Sequence, residues 1–414
     1  MKKMYIVACW SVVLLLAGAC KKSETIFNPV AIREIPVGAL LPQTGAGQLS
    51  GTTTEAALRI ATDDANRYYQ TIGVNVRIRL LVEDTQTDPA MALEKLKTLY
   101  NKGVRLVIGP YSSAEAAACK SFIDEKGILM VSQSSESTSL AIAGDNLFRL
   151  VPTVAKQAEA MVKLMGSDTI TAVASLVRND VWGIDLLQSF SSAFIPGGGI
   201  IAEPVIYEPE TTDFSSALNL LNDRVTSLLA SFPERRIGIY LISFSEGETI
   251  LSEAITHASL DRVRWYGSSS FAQNQSVLIN EPGAQFALDH NGLPSPVLGL
   301  EEAAKNTWDP LIKAIREETG EEADIFSLVA YDILWLAAQT FLVSDYTSGI
   351  DHMKEAFFLQ ADHYYGATGR TSLDSNGDRA FGNFDFWAIR KPTQNFDWKR
   401  IAVYNTASGI LIRF

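Results

Sequence analysis

Three strand-to-helix junctions in this chain of 414 residues are unusually polar, and each could hold a small ligand. Gly109-Pro110-Tyr111-Ser112-Ser113 separates an apolar run from a helical run that starts at Ala114. Either serine can cap that helix, and the free N–H groups of its first turn form a site for an anion. A helix cap with no ligand would use the same residues. Ser132-Gln133-Ser134-Ser135-Glu136-Ser137-Thr138-Ser139 is a polar run directly after an apolar strand. Its hydroxyls offer donors and acceptors to a polar ligand, and an ordinary surface loop has the same composition. In Ser243-Phe244-Ser245-Glu246-Gly247-Glu248, Glu246 could meet a ligand ammonium or serve only the dipole of the helix it opens. Trp182, in Asn179-Asp180-Val181-Trp182-Gly183, could cover an apolar ligand group or pack in the core.

This chemistry is recognition without reaction. The chain has no Gly-x-Ser-x-Gly elbow, no His-Glu-x-x-His and no phosphate loop, so no enzyme activity and no cofactor are expected. His257, His290, His352 and His363 are scattered without ligand spacing. Cys9 and Cys20 lie near the start, which leaves Cys119 without a partner and excludes a disulfide framework or a cysteine metal site. Asp374-Ser375-Asn376-Gly377-Asp378 is a poor calcium loop, because its Gly is misplaced and Asp385 stands where a Glu belongs. A turn between strands is expected there, and no metal. A formal charge of −12, with no Lys/Arg-rich block, argues against nucleic acid or an anionic membrane surface as a partner.

Elements that could position these junctions emerge from periodicity. Strand runs at Ile35 to Leu41, Val74 to Glu83, Val104 to Gly109 and Ile128 to Ser132 alternate with helices near Thr52 to Gln70, from Asp88-Pro89 onward, and near Ser113 to Lys126. That is the signature of a parallel sheet covered by helices. After Phe148-Arg149-Leu150-Val151-Pro152 the rhythm restarts, with strands at about 170–177, 200–207, 236–243 and 262–267 and helices at about 181–194, 212–231 and 246–258. Length beyond ~250–300 residues also calls for more than one core. Helices are expected near 302–319 and 325–343, then β structure at Phe381 to Ile389 and Trp398 to Tyr404. Ile325 to Val343 is apolar enough to raise the question of a membrane span, but a central Asp332 would cost ~2.5–3.5 kcal/mol there, so a buried core helix is expected.

The start of the chain is a separate object. Lys2 and Lys3 precede an apolar run from Met4 to Leu16 and then Ala17-Gly18-Ala19-Cys20. This is a secretory signal, residues 1–19, and the small residues before Cys20 resemble the lipobox of bacterial lipoproteins. Cys20 is the expected lipidated residue, with residues 20–34 a tether; a plain cleaved signal with an incidental cysteine is the other option.

Several segments together resemble the type I solute-binding proteins of ABC transporters, in particular the branched-chain amino-acid-binding (Leu/Ile/Val-binding) family. They are Pro42-Gln43-Thr44-Gly45, Glu83-Asp84-Thr85-Gln86-Thr87-Asp88-Pro89, Val107-Ile108-Gly109-Pro110-Tyr111-Ser112-Ser113, Phe148-Arg149, Trp182-Gly183, Ala330-Tyr331-Asp332 and Phe381-Gly382. The resemblance implies an α/β fold of two Rossmann-like lobes with parallel sheets, joined by three crossovers and closing on a ligand by hinge motion. It implies an N-terminal lobe of 35–152 plus 272–370 and a C-terminal lobe of 153–271 plus 371–414.

It also implies ligand contacts from Ser112, Ser113 and Ser134, with Trp182 packed on the ligand and Glu246 on its ammonium. Glu136 stands where relatives carry Thr, and a Glu there repels a ligand carboxylate unless one of the two is neutral or a cation intervenes; an alignment shifted to bring Thr138 into that place removes the conflict. The position near Ser50 is often aromatic in relatives, and the lack of an aromatic residue here implies a wider pocket. The implied function is capture of a small polar ligand, an amino acid or related compound, for an ABC transporter permease. The expected setting is the periplasm or cell envelope, as a monomer held to a membrane by its lipid alone. Some lipoproteins of this fold instead regulate a cell-wall synthase by contact, and that alternative stays open.

Overall fold

Alternation along the strands decides which face each residue covers. In β1 (Arg33–Leu41), Ile35, Val37, Ala39 and Leu41 enter one core while Leu40 enters another on the opposite face. The computed structural model describes residues 32–346 and 349–414, so the signal, Cys20 and most of the tether lie outside the described residues. The chain continues through α1 (Gln48–Thr71), β2 (Val76–Asp84), α2 (Pro89–Asn101), β3 (Leu106–Ile108), α3 (Ser113–Lys126), β4 (Leu129–Ser132) and β5 (Leu147–Arg149). The first sheet is parallel, in the order β2-β1-β3-β4-β5. Strands buried on both faces read as continuous apolar runs, as Leu106-Val107-Ile108 and Leu129-Met130-Val131 do.

A second unit repeats the plan with α4 (Val154–Ser167), β6 (Ala172–Arg178), α5 (Val181–Phe194), β7 (Ile200–Ile201), β8 (Val205–Tyr207), α6 (Ser215–Leu229), β9 (Ile237–Ile242), α7 (Gly247–Ala254) and β10 (Arg264–Gly267). Its sheet runs β10-β9-β6-β7, with β8 also on β6, all parallel. Both sheets therefore reverse direction beside their first strand, between β1 and β3 and between β6 and β9. In open α/β sheets a ligand crevice lies beyond the strand ends at such a reversal. The single strand expected at 200–207 is two short ones, because Pro204 between them has no N–H for the ladder.

α8 (Gln275–Ile279) and α9 (Glu281–Asp289) follow. The stretch from 272 onward was expected in the first lobe, yet Val277, Phe286, Ala287 and Leu293 pack in the second core. After β11 (Ser295–Leu298), helices α10 (Lys305–Thr319), α11 (Ile325–Val343) and α12 (Ile350–His363) return to the first core. α11 is the one described helix apolar and long enough to span a membrane, and it is mostly buried inside the protein. Asp332 within it accepts bonds from the Ala367 and Thr368 amides at 2.7 and 2.8 Å, which satisfies a carboxylate in an apolar helix.

β12 (Tyr365–Gly366) and β13 (Gly369–Arg370) form a small hairpin. β14 (Asn383–Arg390), β15 (Asp397–Asn405) and β16 (Ile410–Arg413) join β11 in an antiparallel sheet on the second lobe's side. The crossovers are tied together by buried arginines. Arg149 forms a fork on Asp378 at 2.6 and 2.7 Å, and Arg379 donates to the Leu150 carbonyl and to Thr368. Asp374 to Asp378 is a turn, as expected, with the Gly377 amide on the Asp374 carbonyl at 3.0 Å.

Candidate functional site

Loops after β1, β3 and β4 form the first wall of the interlobe cleft. Gly109, at φ +104°, brings its chain against the Leu40 carbonyl, where a Cβ would sit 2.3 Å away. Ser112 caps α3 in a full capping box: its hydroxyl accepts the Glu115 amide at 3.2 Å and donates to Glu115 Oε2 at 2.6 Å, while its own amide donates to the same oxygen at 2.8 Å. The Ser113 hydroxyl accepts the Ser137 amide at 3.1 Å. Ser134 donates to the Tyr111 carbonyl at 2.7 Å. Arg149 reaches from the crossover to the carbonyls of Ser135 and Ser137, so the hinge holds this loop in place.

Loops after β6, β9 and β10 form the second wall. Trp182 lies in the first turn of α5, where Gly183 lets the helix start close to the Arg178 carbonyl, 2.3 Å from a would-be Cβ. The Trp182 ring packs on Phe244 with centroids 4.9 Å apart. Glu246 Oε1 accepts from Arg178 at 2.8 Å, from the Tyr207 hydroxyl at 2.8 Å and from the Phe244 amide at 3.1 Å. Arg178 also pairs with Asp180 at 2.8 Å and lies over the Phe244 ring at 4.7 Å.

Glu136 joins the walls. It is 4% exposed, and its Oε2 accepts from Trp182 Nε1 at 3.3 Å and from the Ser269 hydroxyl at 3.0 Å, both on the opposite wall. Burial pushes its carboxyl up to about 7, against the pull of those two donors and of Arg149. Asp185 of α5 adds a second tie, accepting from the Ser139 amide at 2.8 Å and from the Ser137 hydroxyl. Between the walls lies a cavity of about 20 Å³ lined by Tyr111, Ser112, Ser113, Ser134, Glu136, Trp182, Phe244, Ser269, Ser270 and Phe326. That holds water rather than a solute. A second cavity of about 110 Å³ shares Tyr111, Ser269, Ser270 and Phe326 and extends past Ser50 to Asp324. A solute therefore enters only as the walls or their aromatic rings move apart.

Residues 34–228 match the profile of a family described as periplasmic binding protein. In that stretch and in its fold the chain resembles the type I periplasmic binding proteins. A Leu/Ile/Val-binding protein, BraC3 of Rhizobium johnstonii, is 26% identical over 46% of this chain and 52% of its own. A leucine-binding protein, LivK of Thermotoga maritima, superposes with a TM-score of 0.75 at 18% identity, covering 90% of this chain and 99% of that one. A solute-binding protein from R. palustris in complex with benzoate gives 0.71 at 16% identity, over 93% and 98% of the two chains.

Five of the six residues singled out in the sequence line the inner cavity: Ser112, Ser113, Ser134, Glu136 and Trp182. Glu246 is not in that lining. Its carboxylate is turned to Arg178 and Tyr207, which the sequence placed in no relation to it. Tyr111 and Phe244 stand in the same junctions, beside Ser112 and near Glu246, and also line the cavity. Ser269 and Ser270 follow β10 in a Gly-Ser-Ser-Ser run of the same kind as the other junctions, so composition alone could have found them. Phe326, in the first turn of α11, carried no such signal. The cavity beside Ser50 lies where a wider pocket was expected.

Proposed function

We propose that this extracytoplasmic binding protein captures a small organic solute, an amino acid or a related compound, in the cleft between its lobes for an ABC permease. The observation that carries this is the placement of one cavity at both sheet reversals at once, with Glu136 of one wall bonded to Trp182 and Ser269 of the other. Leucine and benzoate, named for the similar structures, support a solute of that size. Tyr111, Trp182, Phe244 and Phe326 would cover the ligand's apolar part, with Ser113, Ser134, Glu136 and Ser269 as the polar contacts.

A thermal-shift screen of amino acids, organic acids and amines on the chain without its first twenty residues tests this. Ligand at ~100 times its dissociation constant adds ~2.7 kcal/mol of stability, and Trp182→Ala should remove the shift. No shift from any compound would sink the proposal. The lipid anchor at Cys20 is proposed on the sequence alone. Cys20→Ala should abolish fatty-acid labelling and free the protein from membranes; continued labelling would end that claim.

A further inference from the structure

The two cleft cavities carry one sign of charge. Their lining includes the carboxylates of Glu136, Glu321, Glu322 and Asp324 and no lysine, arginine or histidine. Glu322 is paired with Arg316 outside the lining, and Asp324 caps α11 through the Ser327 amide at 2.8 Å. Glu136 has no such release. Its Oε2 holds the two cross-cleft donors, but Oε1 accepts no bond among the described residues, and Arg149, the one cation acting on it, is already forked on Asp378. Oε1 is not among the buried unpartnered atoms, so it stays within reach of solvent and of a ligand's donor.

Most groups that would greet a ligand carboxylate are engaged elsewhere. Ser112 gives its hydroxyl and amide to Glu115, and Arg178 is held by Glu246 and Asp180. The Ser113 hydroxyl accepts the Ser137 amide and keeps its own proton to donate. Beside it stand Glu136, which repels a carboxylate, and the faces of Tyr111, Trp182, Phe244 and Phe326, which suit a cation. Among the described residues no cluster of three or more His, Cys, Asp or Glu could hold a metal ion, so the cation is organic.

We propose that the solute is an organic amine without a free carboxylate, its ammonium on Glu136 Oε1 within the aromatic walls and its chain running past Tyr111 toward Asp324. The proposal rests on the cleft being the solute site. It makes binding proton-linked, since Glu136 must ionise to pair with the ammonium. The ionisable groups facing Glu136 are Arg149 of β5, Tyr111 after β3 and Tyr240 of β9; Arg149 favours its ionised form, and burial keeps both tyrosines neutral. With the free carboxyl near 7, affinity should be roughly tenfold higher at pH 8 than at pH 6.

Calorimetry with phenethylamine, cadaverine, tetramethylammonium, isoleucine and benzoate is the test. At least one of the three cations should bind, lose tenfold or more in Glu136→Gln, and lose its pH dependence in that variant, while circular dichroism shows the variant folded. Cadaverine alone among them would place the second ammonium near Asp324. Binding of isoleucine or benzoate but of no cation, abolished in Trp182→Ala, overturns the amine and leaves the cleft's role standing. Binding by none of the five overturns both.

Discussion

In the first lobe the cleft loops carry serines whose hydroxyls bond their own backbone, whereas in the second the matching loops carry Trp182, Phe244 and an ion-paired Arg178. The same sheet order builds both walls, so equivalent positions end beyond equivalent strand ends. The chemistry at those ends is not equivalent. One wall is a polar frame bonded largely within itself, and the other presents rings and a neutralised charge. Two glutamates show the consequence. Glu246 sits where an ammonium partner was expected and has three internal donors, while Glu136 replaces an expected neutral residue and keeps a carboxylate oxygen free. Position in the fold assigns a residue to the cleft; its bonded partners decide what it can still bind.

The largest expected effect breaks the frame of the first wall. Arg149→Met leaves Asp378 buried without its cation and should cost about 3–5 kcal/mol in urea unfolding, with much of that regained in the Arg149→Met/Asp378→Leu double variant. A loss below about 1 kcal/mol would mean the crossover tie is idle. Next comes the free carboxyl. Burial raises Glu136 from 4.5 to about 7, so the folded state holds an extra proton between those values and stability falls as pH rises through that window. Glu136→Gln should flatten that slope and gain about 3 kcal/mol at pH 8; an unchanged slope would contradict its burial as a carboxyl. The smallest effect belongs to the second wall. Glu246→Gln weakens the hold on Arg178 and should cost about 1.5–3 kcal/mol of stability, while ligand affinity in calorimetry shifts less than about twofold. A tenfold loss of affinity would restore Glu246 to the ligand.

Local signals explain what was legible. α3 was legible to within a residue, because a serine cap opens it; Glu115 completes the box and Gly127 closes it in the left-handed region. α9 went unread although Asn280 caps it and Pro282 stands in its first turn; its apolar residues are few, and only the second core shows why they are buried. The strand order and the polar junctions together were enough to name most of the inner cavity. Hydrogen-bond partners were not legible, since Arg178 meets Glu246 across 68 residues and Ser269 meets Glu136 across 133. No short-range pattern encodes either pair.

The Arg149–Asp378 fork joins residues 229 apart, and Tyr69 of α1 reaches the Ala338 carbonyl of α11 across 269. The first sheet is made early in synthesis, yet the helix that seals one of its faces is made near the end. A growing chain therefore exposes an unfinished core until the last crossover emerges, and its folding waits on closing very long loops.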